Sequence, residues 1–156
     1  VSLLPFLEHD RLFHQFNLEE PWDSPHNKPL LEEIPRYYEL PWGPIHAPGM
    51  TYYQVFVGPG TAFERGDLAD TLLVVEAANA VPWTKPADLV YSPEKPLPAL
   101  GGLFRKPIHL WCYELSRRDG FTACFGDGSV RFIHSDTGER TLRRFIAHDG
   151  GEKSDK

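Results

Sequence analysis

Cysteine is scarce in this chain. Cys112 and Cys124 are the only two among 156 residues, which excludes a disulfide-built scaffold. Either one bridge between Cys112 and Cys124 or two buried thiols acting as small apolar groups fits the pattern. Positive charge is not in excess either. The formal net charge is -6 at neutral pH and no basic stripe is present, so nucleic acid is not an expected partner, because phosphate neutralisation dominates that affinity. Also missing are a signal peptide and any run of about eighteen apolar residues. The chain opens on Val1 rather than Met and reads as a processed or trimmed product.

Aromatics, proline and glycine are plentiful. Fifteen Pro and thirteen Gly stand beside four Trp, six Tyr and ten Phe, a mixture that predicts long ordered loops pinned by rings. Hydrophobic residues make up 41% and charged residues 24%, the balance of a globular chain rather than a disordered or membrane-embedded one. At this length one domain is expected, spanning 1–152, with 153–156 a frayed tail.

The clearest local signal is Phe121–Ile133. Two β-favouring runs flank Gly126-Asp127-Gly128-Ser129, and Asp-Gly between such runs predicts a hairpin, because the tight turn needs residues that tolerate positive φ. Alternation assigns Phe121, Ala123 and Phe125 to the buried face together with Val130 and Phe132, and turns Arg131 away. Ile108–Leu115 is expected as the third strand of a C-terminal meander. Thr51–Val57 and Thr71–Ala77 read as further strands, the second apolar enough to be covered on both faces.

Helical spacing appears three times. Leu3, Leu4, Leu7, Leu12, Phe13 and Phe16 predict one helix over 3–16. Ser24 as N-cap and Pro25 at the first helical position predict a short helix ending at Pro35, with Leu30, Leu31 and Ile34 inward. Asp136 or Thr137 is expected to cap a helix over about 139–148 with Leu142, Phe145 and Ile146 inward. The segment 37–50, with Trp42 and Ile45, and the proline-dense path 81–102 read as ordered loops without regular structure. The predicted class is therefore α+β: an antiparallel sheet, short helices and long Pro/Gly-rich loops.

Chemistry-bearing residues are few and scattered. Glu76, Asp127, His109 and His134 are candidate acids and bases for a hydrolase, but no spacing brings them together, and a turn Asp such as Asp127 bonds its own backbone. Glu76 is expected to pair with a cation or a backbone donor. Trp22, Trp42, Trp83 and Trp111 are candidate stacking platforms, each weighed against a place in the core.

Several stretches taken together resemble a known family. They are Leu4-Pro5-Phe6-Leu7-Glu8-His9, Glu20-Pro21-Trp22-Asp23-Ser24-Pro25-His26-Asn27-Lys28 and Tyr53-Gln54-Val55-Phe56-Val57-Gly58-Pro59-Gly60-Thr61. Val81-Pro82-Trp83-Thr84-Lys85-Pro86 with Asp88, Pro96-Leu97-Pro98 before Leu100-Gly101-Gly102, Phe125–Ile133, and Thr141-Leu142-Arg143 through Gly150-Gly151-Glu152 complete the set. The ordered set resembles the pseudopilin-like family of unknown function, abundant in planctomycete bacteria, that carries a C-terminal signature of His, nine residues, then Asp-Gly. Members begin with a prepilin-type segment and a long apolar helix, which this sequence does not contain. Arg117 stands where the signature has His, and Tyr38-Glu39-Leu40-Pro41 lacks the family's Cys.

The resemblance implies a pilin-like head: a type IV pilin or type II secretion pseudopilin architecture presented outside the cytoplasm, periplasmic or on the cell surface. It implies a structural or interaction role with other proteins, surface polymers or further copies of itself. Membrane contact would come only through a segment absent from this chain, and no enzymatic activity or cofactor is implied. The alternative is a module that binds glycans or small ligands through exposed Trp or Tyr, with Trp22, Trp42, Trp83, Lys85 and Asp88 as candidate contacts. Related pseudopilins hold calcium through loop oxygens, and Asp119, Asp127, Asp136 or Glu139 could supply such oxygens. The spaced ligands of a dedicated calcium loop are missing, so no metal is expected.

Overall fold

A computed structural model describes residues 1–40, 48–62, 69–101, 108–110, 113–115 and 119–147, with backbone alone for 108–110 and 113–115. The fold is mixed α+β, with a four-stranded antiparallel sheet and a few short helices. Its strands are β1 (Met50–Gln54), β2 (Phe56–Val57), β3 (Leu72–Pro82), β4 (Leu89–Val90), β5 (Ile108–Leu110), β6 (Tyr113–Leu115), β7 (Gly120–Phe125) and β8 (Val130–His134). The four-stranded sheet has the order β1-β3-β7-β8. β2 pairs with β4 in parallel, and β5 pairs with β6.

The expected meander is therefore corrected. Ile108–Leu115 splits into two strands that pair with each other, and the neighbour of β7 is β3. The physical reason is the apolar run of β3, which is best satisfied between two strands rather than at an edge. The hairpin forms as predicted, but one detail of its faces is reversed. Phe125 N–H donates to Ser129 O and Gly128 N–H to Phe125 O, both at 2.9 Å, with Gly128 alone of the turn residues at positive φ (80°). That is a three-residue loop with a glycine bulge rather than a two-residue turn. The register becomes Phe121↔Ile133 and Ala123↔Arg131, so Ile133 and Arg131 share the core face while Val130 is 67% exposed. Arg131 compensates by laying its guanidinium 4.3 Å from the Phe125 ring centre.

The proline-dense path also contains regular structure. Leu89 N–H donates to Val55 O and Tyr91 N–H to Val57 O, each at 2.8 Å. Proline lacks only its own N–H, and the donors here fall between Pro86 and Pro93. Thr51–Val57 divides at Val55 between β1 and β2.

Two apolar cores result. The larger is built on the sheet: Phe56, Leu72, Val75, Tyr91, Phe121, Ala123, Phe125 and Ile133 are buried there. Helix α1 is Asp10–Phe13, and the sheet core is closed by helix α2 (Glu139–Ile146), which packs Leu142, Phe145 and Ile146 inward as its spacing predicts. Its N-cap is Gly138, not Asp136 or Thr137, and no side chain caps it. Arg143 ties α2 to the proline path. Its guanidinium donates to Glu139 Oε1 and to the carbonyls of Ser92, Pro93 and Lys95 at 2.6–3.3 Å, and Glu139 raises its pKa.

The smaller core gathers Leu4, Leu12, Phe16 and Trp83, with Leu30, Leu31, Ile34 and Tyr38 around them. The single helix expected over 3–16 is instead a 3-10 turn, Leu4–Leu7, and the four-residue helix α1, Asp10–Phe13. Glu8 interrupts them at φ 62°. The helix expected after Ser24 is a 3-10 helix, Lys28–Glu33. Ser24 still accepts Asn27 N–H at 3.0 Å, closing a turn instead of a helix. Asn27 does more: its side chain accepts from Asn17 N–H and donates to the carbonyls of Asn17 and Pro21, at 2.9–3.0 Å. One buried amide thus stitches 17–27 into a fixed loop.

Candidate functional site

The residues singled out in the sequence scatter across the molecule. Trp22 and Lys85 do meet, with the Lys85 ammonium 5.8 Å from the Trp22 ring centre. That cation takes up one face of the ring. Trp83 is no platform at all. It is only 7% exposed, donates its indole N–H to Leu31 O at 3.0 Å, and packs edge-on to Phe16 and stacked on Tyr38. Asp88 is exposed beside β4. Trp42, Trp111 and Cys112 lie outside the described residues, while Cys124 is a free thiol on β7. His109 belongs to β5.

The candidate acids are consumed by structure. Glu76 is 4% exposed, and its Oε2 accepts Thr122 N–H at 2.8 Å. The cause lies in the sheet. Up to Val75 the neighbour of β3 is β7; from Glu76 onward it is 99–101, whose Gly101 N–H reaches Glu76 O and whose Leu100 faces Ala77. Thr122 N–H is left over at that change of partner, and the carboxylate takes it up. Burial, then the nearby Glu76 carboxylate, raises the Tyr53 pKa. Asp127 accepts Ser129 N–H at 2.8 Å and the Arg131 guanidinium at 3.0 Å. The Ser129 and Arg131 contacts hold its carboxyl below the usual range. Gly126, Asp127 and Gly128 are thus a structural turn. His134 is exposed and edge-on to Phe132. Among the described residues no three His, Cys, Asp or Glu side chains converge to hold a metal, and none of their helices is long and apolar enough to cross a membrane.

The site that the sequence did not reveal is an open groove of about 700 Å³ between the first helical pair and 33–37. Glu8, Arg11 and Gln15 line one side, and Glu33, Arg36 and Tyr37 the other. Pro35 shapes it: buried and extended (ψ 141°), it ends one helical turn and starts the next, Arg36–Tyr38. Tyr37 stays 62% exposed, with His9 edge-on at 6.0 Å. On the neighbouring 3-10 turn Phe6 is 84% exposed, and Leu3 just before that turn is exposed too. The sequence signal was present in Pro35-Arg36-Tyr37-Tyr38, a rigid break followed by paired aromatics, only one of which enters the core.

A second, smaller cavity of about 190 Å³ lies where 97–100, the start of β7 and α2 meet, with Leu97, Leu100, Phe121 and Leu142 on its walls. Comparison with known proteins finds no matching family, no matching curated protein and no matching solved structure.

Proposed function

We propose that this chain is a non-enzymatic, pseudopilin-like head that works outside the cytoplasm by contact rather than by chemistry. The ordered motifs from Leu4 to Glu152 suggest the family. One structural observation supports the mode of action. The buried carboxylate Glu76 is engaged by a backbone N–H, while the exposed ring of Tyr37 lines an open groove of about 700 Å³. Exposed aromatics beside a groove mark interaction surfaces. The tryptophan-platform version of a ligand module is not favoured, because Trp83 is in the core and the Lys85 ammonium stands over one face of Trp22.

Fractionation tests the proposal. The native gene product, followed by antibody in the cells that make it, is expected in the periplasmic or surface fraction, with its N-terminus processed when read by mass spectrometry. Recovery in the cytoplasm with an unprocessed N-terminus would overturn it.

A further inference from the structure

We infer that the groove between α1 and Tyr37 is a binding site for a neutral carbohydrate segment. Its lining alternates in chemistry. Arg11, Arg36 and Gln15 offer donors, Glu8 and Glu33 offer acceptors, and Tyr37 offers an exposed ring. Among the described residues no ion pair ties Arg11 or Arg36 to Glu8 or Glu33, although all four border one groove. Their hydrogen-bonding capacity is therefore available to a ligand. Donors and acceptors in near balance suit a ligand whose groups do both, as sugar hydroxyls do. The apolar C–H face of a pyranose ring suits an exposed phenol. An acidic peptide would meet Glu8 and Glu33 along with the two guanidinium groups, and a basic one the reverse. The volume lies within the ordinary range for ligand sites, roughly 300–1,000 Å³.

A second observation points to the same place. Glu8 is the sole non-glycine among the described residues at positive φ. It closes the Leu4–Leu7 turn, where glycine is the favoured residue. A side chain in that conformation carries strain, and such strain gathers at functional sites. The groove would thus keep a carboxylate at the cost of a better cap.

The inference goes beyond the export reading by naming a ligand class, and fractionation does not depend on it, so each can fail without the other. The test is a glycan array probed with the labelled full chain, followed by calorimetry with cellotetraose, tetragalacturonate and tetraglutamate. The expected result is retention on neutral glycans, with Tyr37→Ala and Arg36→Ala each weakening binding at least tenfold at unchanged melting temperature. Trp22→Ala should leave it unchanged. Glu8→Gly should weaken binding while raising the melting temperature, which a merely structural role would not produce. Retention of no neutral glycan, preference for tetragalacturonate or tetraglutamate, or binding lost on Trp22→Ala but not on Tyr37→Ala would each overturn the inference.

Discussion

The two apolar cores are made in different ways. The sheet core is closed by residues far apart in sequence: β3 meets β7 some fifty positions on, and α2 seals it from beyond both. The N-terminal core is assembled mostly from neighbours within 1–38, and Trp83 is the one buried member contributed from outside that stretch. It joins the sheet through Trp83 N–H to Gly49 O and Trp83 indole N–H to Leu31 O. Gly49 is needed at this joint, since its φ is 79° and a Cβ there would stand 2.5 Å from Leu31 O. A layer whose buried core is drawn mostly from 1–38 should open locally, at lower free energy than global unfolding. The proposed groove lies on this layer, where binding would order it further.

The largest effect expected is in the sheet core. Phe125 is fully buried and edge-on to Phe145, so Phe125→Ala should cost about 3–5 kcal/mol, with fluorescence and circular dichroism falling together in one transition. Asn27→Ala should come next. It orphans the Asn17 and Pro21 groups that the amide satisfies, costing about 1–3 kcal/mol. Its effect should appear as faster hydrogen exchange confined to 1–38, with the strands unchanged. Equal acceleration in β3 and β7 would break the comparison and make the two cores one cooperative unit. Trp83→Phe keeps a ring but leaves Leu31 O unpaired, for about 1 kcal/mol, and should loosen the same amides.

The smallest effect concerns acid. Asp127 has a depressed carboxyl pKa, caused first by Ser129 and then by Arg131. Its stabilisation is fully present above the ordinary carboxylate range and is lost as pH falls through the depressed value. Asp127→Asn should flatten the low-pH limb of a melting-temperature profile and leave hydrogen exchange in 1–38 untouched.

What could be read from residues alone followed the range of the forces involved. The hairpin and α2 are set by local turn chemistry and local spacing, and Phe121–Phe125 and Leu142–Ile146 lie where that reading places them. The faces of β8 depended on one bulge residue, Gly128, and a shift of one position exchanges every side chain. The first helix was overestimated because an apolar stripe does not show that Glu8 departs from helical backbone. The partner of β7 was illegible because strand pairing at long separation has no local signature. Glu76 as a backbone acceptor was among the expected roles, but the donor, Thr122, could be named only once the change of partner along β3 was visible. The groove was illegible for a similar reason: Glu8 and Tyr37 come to line one groove only because their segments pack around the same small core.

The clasp made by Arg143 has a bearing on biosynthesis. Until α2 has left the ribosome, the carbonyls of Ser92, Pro93 and Lys95 lack this partner, and Phe125 and Tyr91 lack the cover of Phe145 and Arg143. A chain truncated before residue 139 would therefore keep the hairpin sequence but leave the Phe125 flank uncovered. One short helix supplies the clasp and the cover together.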